Sequence, residues 1–368
     1  MYNILFVHNA IPEYRYAFFK HLSDLVNLQL YITESEVASK IYNFKSNIPS
    51  ELDIIYAKNY QDIIDEIYKS NYDCVVLPPL DNLRQLTFAF MAFHACRKRK
   101  VHIAYWTEKW EANSDLQPFA KRIKNFLQAK AITFFAKKSD VCIAAGIKQK
   151  QYLLNNGIEE SKIKIAIDSS TSPKNMDFVN IRNEYKIQDN SRIILFLGRL
   201  IKRKGCQLLV DAVSKLNSDN WNLHLLVCGV GDEEAFLKNE IMTKNLQNIT
   251  FCGKIQPNQR AAYFAQSDVF VLPSYTCEGV IEAWGLTCNE ALEQGTPVIA
   301  TTAVGAAHDL ADGKCCLMVE ENNVEALAEG LRQILSDESL EKCCKERYAL
   351  FSVRQMAESF YKAFNSIM

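Results

Sequence analysis

Short apolar runs alternate with amphipathic segments along the whole chain and predict two series of strands and helices. In the first half, strands are predicted at Asn3 to His8, Leu28 to Ile32, Asp73 to Leu77, Val101 to Trp106 and Val141 to Ala144, with a helix over Tyr14 to Val26. In the second half, strands are predicted at Ser191 to Leu197, Leu223 to Cys228, Val269 to Leu272 and Val298 to Ala300, with helices over Gln207 to Leu216 and Leu286 to Gln294. Because this alternation is typical of parallel sheets covered by helices, we expect an α/β chain of two Rossmann-like, doubly wound domains facing each other across a cleft.

The predicted boundary between the domains is polar and rich in turn-forming residues. The segment from Ala166 to Arg192 contains Asp168-Ser169-Ser170-Thr171-Ser172-Pro173, a composition typical of a linker. The sequence therefore divides into an N-terminal domain over residues 1–170, a C-terminal domain over residues 171–351 and a last helix over residues 352–368.

Composition and charge exclude several classes of protein. The 368 residues carry a formal net charge of −1, so no overall field favours nucleic acid. Twelve cysteines occur without a C-x-x-C pair or the histidine spacing of a zinc site, and the neighbours in Cys315-Cys316 and in Cys343-Cys344 are poorly suited to bridging each other. No signal peptide is recognisable, and no apolar stretch reaches the roughly 20 residues of a membrane span. We therefore expect a cytoplasmic protein with reduced thiols.

The most informative stretch runs from Glu282 to Pro297 and reads EAWGLTCNEALEQGTP. Two of its carboxylates, Glu282 and Glu290, would be about 12 Å apart on one helix and could hold two parts of an elongated polar ligand. The free N–H groups of the first turn, around Trp284 and Gly285, favour an anion. A single glutamate at a helix start more often complements the helix dipole, but the pair with this glycine and proline spacing favours ligand binding.

This stretch resembles the signature of the family four glycosyltransferases, which have the GT-B fold. The resemblance rests on Glu282-Ala283-Trp284-Gly285-Leu286, on Glu290-Ala291 and on Gly295-Thr296-Pro297, and it is strongest from about residue 191 to residue 330. It implies transfer of a sugar from a nucleotide-sugar donor with retention at the anomeric carbon. The resemblance also implies that Glu282 contacts the donor sugar and Glu290 the ribose, that residues 283–286 line the donor site, and that the last helix crosses back to the N-terminal domain.

A basic loop follows the predicted strand that ends at Leu197. The loop reads Gly198-Arg199-Leu200-Ile201-Lys202-Arg203-Lys204-Gly205. It places Arg199 and Lys204 at the carboxyl end of a parallel strand, where open α/β sheets bind ligands, and fixed cations there would stabilise a departing diphosphate. The same pattern resembles the family, which implies diphosphate binding by these two side chains beside Gly198. The remaining cations, Lys202 and Arg203, are interpreted as solvated surface charges.

Glycines also follow the next two predicted strands. The sequence Gly229-Val230-Gly231 lacks the third glycine of a dinucleotide-binding fingerprint. The resemblance implies donor contacts from Gly229 and, near the base, from Gly253, Lys254 and Ile255. No D-x-D triplet occurs in the sequence. This triplet is the usual metal anchor of the other large glycosyltransferase fold, so no metal is expected here. No other cofactor is expected either, and the nucleotide-sugar counts as a substrate.

The N-terminal domain is expected to bind the acceptor through loops that follow its strands. The loop after the first strand contains no glycine, and its Arg15 could meet an acceptor phosphate or lie on a solvated helix face. The loop from Tyr105 to Glu111 offers Trp106 and Trp110 as aromatic surfaces for a sugar. Glu108 in that loop is the candidate for an acceptor-contacting or catalytic acid.

A strongly basic segment lies inside this nearly neutral chain. From Cys96 to Lys150 there are thirteen lysine or arginine residues and four aspartate or glutamate residues, an excess of nine positive charges. Residues 119–138 combine apolar side chains at helical spacing with basic ones, namely Phe119, Ile123, Phe126, Leu127 and Phe134 among Lys121, Arg122, Lys124, Lys137 and Lys138. This pattern suits a helix on anionic lipid headgroups, and equally a core-facing helix with a solvated basic face.

The sequence thus predicts a metal-independent glycosyltransferase acting on a saccharide or lipid-linked acceptor, as in bacterial envelope polysaccharide synthesis. Two alternatives stay open, a sugar-nucleotide epimerase of the same fold and a non-catalytic nucleotide-sugar-binding partner protein. One departure from the family is the run Lys314-Cys315-Cys316-Leu317, where relatives commonly have Asn-Gly before the apolar residue, and an altered turn is expected there. The base and sugar of the donor, and the acceptor, are not specified by these patterns.

Overall fold

The chain folds as two compact units. The computed structural model describes residues 1–34, 51–110, 119–173, 179–219, 221–337 and 339–368. Unit 1 comprises Met1–Ser169 together with Val353–Met368, and unit 2 comprises Ser170–Ser352. Glu111 of the predicted acceptor loop and the side chain of Lys121 lie outside the described residues. None of the described helices is long and apolar enough to cross a membrane.

Unit 1 contains a sheet of seven parallel strands. They are β1 (Asn3–His8), β2 (Asn27–Ile32), β3 (Asp53–Tyr56), β4 (Cys74–Leu77), β5 (His102–Thr107), β6 (Val141–Ala144) and β7 (Ile163–Ile165). Their order is β3-β2-β1-β4-β5-β6-β7, and all neighbouring pairs are parallel. The chain changes direction across the sheet between β1 and β4, so the carboxyl ends of these strands form the switch point at which such sheets bind ligands.

The helices of unit 1 cover this sheet. They are α1 (Tyr16–Ser23), α2 (Asp62–Lys69), α3 (Leu83–Arg99), α4 (Phe119–Lys138), α5 (Ile147–Asn155) and the last helix, α14 (Val353–Asn365). Helix α3 begins after Asn82, whose side chain accepts the Gln85 N–H at 3.0 Å, and ends at Lys100 in the left-handed conformation. Helix α14 packs against α1 and contributes Phe360 to the core around Phe6.

Unit 2 repeats the architecture with six parallel strands. They are β8 (Arg192–Leu197), β9 (Leu223–Cys228), β10 (Ile249–Gly253), β11 (Val269–Leu272), β12 (Val298–Thr301) and β13 (Cys316–Val319), in the order β10-β9-β8-β11-β12-β13. The helices are α6 (Ile181–Tyr185), α7 (Cys206–Ser218), α8 (Glu234–Thr243), α9 (Arg260–Ala265), α10 (Thr287–Glu293), α11 (Ala307–Leu310), α12 (Val324–Leu335) and α13 (Leu340–Leu350). Here the switch point lies between β8 and β11, where the carboxyl ends of these strands meet.

The predicted fold class is confirmed, because both units are Rossmann-like α/β structures with parallel sheets. The Asp168-to-Pro173 run, which the sequence predicted as a linker, contains the boundary between the two units and is buried at its start. Asp168, Ser169 and Ser170 are completely buried. Buried polar groups need partners, and the Asp168 N–H donates to the Ala145 carbonyl at 2.8 Å while its carboxylate pairs with an arginine described below.

Candidate active site

Glycines bring the ends of three strands of unit 2 close together. The Gly198 N–H donates to the Cys228 carbonyl at 2.9 Å, and the Gly229 N–H donates to the Gly253 carbonyl at 2.7 Å. Gly229 has φ +146, and a Cβ there would stand 1.8 Å from the Gly198 carbonyl oxygen. Only glycine leaves room for this close contact between the two strand ends. The three glycines predicted for donor binding, each at the end of its strand, lie at one edge of the sheet. Lys254, which follows them, is exposed, and the adjacent Ile255 is half-buried.

The basic loop after β8 is fixed against the end of β11. A Cβ at Gly205, which has φ +67, would stand 2.0 Å from the Pro273 carbonyl oxygen. The Arg203 carbonyl accepts the Tyr275 N–H at 3.0 Å. These contacts hold the turn Lys202–Lys204 beside the segment that leads to the first glutamate.

Glu282 lies between two cations of this loop. Lys204 Nζ is 2.7 Å and Arg203 Nη1 is 2.5 Å from the same oxygen, Glu282 Oε2. The Glu282 side chain is 16% exposed. Burial alone would raise its pKa, but Lys204 and then Arg203 outweigh burial and lower it, so the group is a carboxylate. Arg203 is therefore paired with Glu282 and is not the solvated surface charge that the sequence predicted. Arg199, which the sequence predicted to bind the diphosphate, is exposed.

The two glutamates do not share a helix, contrary to the sequence interpretation. Helix α10 begins at Thr287 and contains only Glu290. Glu282 is extended, and its N–H donates to the Ala303 carbonyl at 3.0 Å. Gly285 separates the two conformations with φ +105, and a Cβ there would stand 2.8 Å from a Leu272 side-chain carbon. The left-handed backbone at this glycine prevents the helix from reaching back to Glu282.

Glu290 is buried and paired within unit 2. Arg260 Nη2 lies 2.7 Å from Glu290 Oε2, and the Ser170 hydroxyl lies 3.4 Å from Glu290 Oε1. Burial raises the pKa of Glu290, while Arg260 opposes the change. Neither partner of Glu290 was predicted from the sequence, because Arg260 and Ser170 belong to no motif that includes position 290.

In the segment between the two glutamates, the Trp284 ring is buried and main-chain groups are what a ligand could contact. The indole is 3% exposed, and its Nε1–H donates to Asn289 Oδ1 at 3.0 Å. The Trp284 carbonyl accepts the Ala306 N–H at 2.9 Å. Ala283 is exposed, and Leu286 is half-buried. Donor contacts in this segment are therefore to be sought at main-chain groups.

A second cluster of charges lies in unit 1 around Arg15, which is 2% exposed. Its guanidinium pairs with both oxygens of Asp168, with Nη2 3.0 Å from Oδ2, and Nη2 is also 2.7 Å from Glu108 Oε1. Burial alone would lower the pKa of Arg15, but Asp168 and Glu108 raise it above the usual value. Arg15 is thus not on a solvated helix face, and its contact with an acceptor phosphate stays a prediction.

The two tryptophans predicted to line an acceptor surface are 7% and 8% exposed, for Trp106 and Trp110 respectively. The Trp106 ring packs against Phe360 with ring centroids 5.5 Å apart, and the Arg15 guanidinium carbon lies 5.0 Å from the ring centroid. Lys148 Nζ lies 5.0 Å from the Trp110 ring centroid. This differs from the predicted stacking surface, because burial in the core leaves little of either ring exposed to a sugar.

Glu108 is the most exposed member of the unit 1 cluster. Its side chain is 41% exposed although one oxygen binds Arg15. Partial burial of the group raises its pKa to about 7, with Arg15 opposing the rise and Asp168 adding to it. A carboxyl group that exchanges its proton near neutral pH is suited to general acid or base catalysis.

Comparisons with known proteins show what the sequence and the fold of this chain are similar to. The family model described as Glycosyl transferases group 1 matches residues 177–349. An uncharacterized 41.2 kDa protein in the cps region of Klebsiella pneumoniae is 23% identical over 283 residues, which cover 76% of this chain and 75% of the relative. The crystal structure of Anabaena Alr3699/HepE in complex with UDP has a TM-score of 0.73 and 15% identity, with 100% of each chain covered. The apo form of the lipopolysaccharide outer core galactosyltransferase WaaB has a TM-score of 0.73 and 14% identity, with 99% of each chain covered.

The structural similarities show the GT-B fold, in which each of two domains is Rossmann-like. The match to the family model spans nearly all of unit 2, which holds the predicted donor-site glutamates and cations. Over residues 177–349 the chain is similar to the group 1 glycosyltransferases of family four, and the sequence prediction of a glycosyltransferase of this retaining family is confirmed.

Proposed function

We propose that this enzyme transfers a sugar from a nucleotide-sugar to a saccharide or lipid-linked acceptor in the synthesis of a bacterial envelope polysaccharide. The observation that carries the proposal is the contact of Lys204 and Arg203 with Glu282, at the carboxyl ends of β8 and β11. A carboxylate for sugar hydroxyls and cations for a diphosphate are the groups that a nucleotide-sugar requires at one place.

Each group has a proposed role in the reaction. The bond between the anomeric carbon and the diphosphate oxygen breaks, and Lys204 with Arg199 stabilises the charge that the diphosphate takes away. Glu282 orients the sugar through its hydroxyls, and Glu290 binds the ribose. The acceptor hydroxyl attacks on the face from which the diphosphate leaves and releases its proton to solvent. Glu108 of unit 1 stays the candidate for an acceptor-contacting or catalytic acid.

The proposed acceptor class is supported by two of the similar proteins. One belongs to the cps region of Klebsiella pneumoniae, and the other is a lipopolysaccharide outer core galactosyltransferase. Both names concern polysaccharides of the bacterial envelope. We extend this setting to the present chain as part of the proposal.

We further propose that helix α4 contacts anionic lipid, where a lipid-linked acceptor would be found. Five of its apolar side chains are between 45% and 76% exposed, namely Phe119, Ile123, Phe126, Leu127 and Phe134. Arg122 and Lys124 are exposed as well, and Lys130 Nζ lies 5.3 Å from the Phe126 ring centroid. Apolar side chains inserted at the headgroups, with cations beside them, attract a helix to an anionic surface. This exposure disfavours the alternative of an ordinary core-facing helix.

The double substitution Phe126→Ser with Leu127→Ser is expected to lower the partition coefficient onto anionic phospholipid vesicles by at least about tenfold, because two inserted apolar side chains are lost. Sedimentation with vesicles of phosphatidylglycerol and phosphatidylcholine measures it. Phe236→Ser, at a side chain 48% exposed in unit 2, is the matched control and should leave binding unchanged. Equal binding by all three proteins would contradict the lipid-contact proposal and leave the transferase proposal standing.

A panel of UDP-, GDP-, ADP- and CMP-sugars tests the donor class directly. A nucleotide-sugar at 100 times its dissociation constant is expected to stabilise the enzyme by about 2.7 kcal/mol, which a thermal shift detects. The stabilising donor is then incubated alone and the products are followed by NMR. An altered sugar on an intact nucleotide would identify an epimerase, and binding without turnover in the presence of any acceptor would identify a partner protein. No stabilisation by any member of the panel would contradict the proposal.

A further inference from the structure

Three side chains with metal-binding atoms converge in unit 2, at the loop before β13 and the start of α13. Cys315 Sγ lies 3.2 Å and Cys343 Sγ lies 3.7 Å from the same oxygen, Asp312 Oδ2. All three ligand atoms are within 4.8 Å of one another. Cys315 is completely buried, as is the neighbouring Cys344. The sequence shows no metal-ligand spacing here, because positions 315 and 343 are brought together only by the fold.

The Asp312 carboxylate is fixed in place by the backbone of its own turn. Its other oxygen, Oδ1, accepts the N–H of Lys314 at 2.9 Å and the N–H of Cys316 at 3.0 Å. Gly313, which follows Asp312 directly, has φ +72, which permits the tight turn. Because Oδ1 is held by two donors, Oδ2 is left directed at the two sulfurs. Protein metal sites orient their carboxylate ligands in this way.

Helix α13 is held firmly against this turn. Arg347 donates to the carbonyl oxygens of Asp309, Leu310 and Ala311 at 2.9, 2.9 and 3.2 Å. Burial alone would raise the pKa of the Asp312 carboxyl group, but the N–H groups of Cys316 and Lys314 lower it, and the positive charge of Arg347 adds to the shift. The two pieces of chain that supply the thiols are therefore joined independently of any ion.

The separations suit a tetrahedral ion with sulfur and oxygen ligands. With about 2.3 Å to sulfur and about 2.0 Å to oxygen, neighbouring ligand atoms of such an ion stand roughly 3.5 to 3.8 Å apart. The observed separations of 3.2 and 3.7 Å lie near this range. Thiolate ligands select Zn²⁺ and similar ions over Mg²⁺ or Ca²⁺.

We propose that Asp312, Cys315 and Cys343 bind a thiolate-preferring divalent ion, for which Zn²⁺ is the model, with Cys344 or water as the fourth ligand. Binding exchanges the two thiol protons for the ion and releases them to solvent. The bound ion ties the turn before β13 to α13. Because α13 packs against α10, which carries Glu290, the ion braces the scaffold of the predicted donor site without taking part in sugar transfer.

The site is tested by titrating the full-length, reduced protein with Co²⁺ and then with Zn²⁺. We expect one equivalent of Co²⁺ to give a sulfur-to-cobalt charge-transfer band and the intense visible bands of a tetrahedral ion, and Zn²⁺ to displace it. Zn²⁺ at 100 times its dissociation constant should raise the unfolding midpoint by about 5 to 10 °C. Cys343→Ser and Asp312→Asn should each weaken Zn²⁺ binding by at least about tenfold.

Cys142→Ser is the matched control. Cys142 is a buried thiol of unit 1 that donates to the Ala136 carbonyl at 3.3 Å, a bond that a serine hydroxyl can keep. This variant should bind both ions like the unaltered protein. The proposal is overturned if no tetrahedral thiolate spectrum forms, if the two ligand variants bind like the control, or if mild oxidation links Cys315 to Cys343 while metal binding stays absent. Cys343→Ser is also expected to retain transfer activity, so this test is independent of the proposed function.

Discussion

Lys204→Ala is expected to lower kcat for sugar transfer by about 10² to 10³-fold, the scale for losing one preorganised charge at a departing anion. Lys204 contacts Glu282 through a 2.7 Å ion pair, and the turn that carries it is fixed against Pro273. Its position is therefore set before a donor binds, so the stabilisation of the leaving diphosphate requires little reorganisation. Initial rates at saturating donor measure the effect.

The matched control for this substitution is Lys202→Ala, an exposed lysine of the same turn. It should leave kcat essentially unchanged, because a solvated charge contributes little to the reacting centre. Arg199→Ala should behave like Lys204→Ala if the exposed Arg199 swings onto the diphosphate when donor binds. Unchanged turnover in both Lys204→Ala and Arg199→Ala would contradict the assignment of the diphosphate site.

Arg15→Met is expected to lower the free energy of unfolding of unit 1 by about 3 to 5 kcal/mol, the usual cost of removing one partner of a buried ion pair. Asp168 is completely buried, and the substitution leaves its carboxylate without the guanidinium that binds both of its oxygens. Urea unfolding followed by circular dichroism measures the loss.

Adding Asp168→Asn to Arg15→Met distinguishes two causes of this loss, the stranded charge of Asp168 and the lost packing of Arg15 against Trp106. Because the amide removes the stranded charge, the double variant should recover part of the lost stability, so the two effects should not add. Full additivity would show that the cost of Arg15→Met comes from lost packing against Trp106 rather than from the stranded charge.

Most of the described strands, though not β3, β7, β10 or β13, and the glycines that follow the strands could be predicted, because both are encoded locally. Apolar runs such as Val141 to Ala144 and Val269 to Leu272 coincide with strands β6 and β11, since a strand buried on both faces needs an unbroken apolar sequence. Gly198 and Gly229 lie where the motif put them, because the approach of one strand end to another leaves no room for a side chain.

The partners of the charged groups could not be predicted, because they come from distant parts of the sequence. Asp168 pairs with Arg15 across 153 positions, and its serine-rich surroundings resembled a linker. Arg260 reaches Glu290 from another helix, and Arg203 resembled a solvated neighbour of Lys204. A polar side chain needs a partner only where it is buried. Burial of these residues is decided by the tertiary fold and cannot be read from the neighbouring sequence.

The backbone conformation of the segment from Glu282 to Glu290 also could not be predicted from the sequence pattern. Spacing alone allowed Glu282 and Glu290 to share a helix, whereas Gly285 separates an extended segment from helix α10. The consequence for binding is that Glu282 is placed by its contact with Ala303, and Glu290 by the helix and by Arg260. The two acids can therefore hold different parts of one donor while belonging to different local structures.

The most direct test of the central claim is an NMR time course with the donor found in the panel and an envelope glycan fragment as acceptor. We expect nucleoside diphosphate and glycosylated acceptor to appear in equal amounts, only when acceptor is present, and the new linkage to keep the anomeric configuration of the donor. A linkage of the opposite configuration, or a changed nucleotide-sugar formed without acceptor, would contradict it.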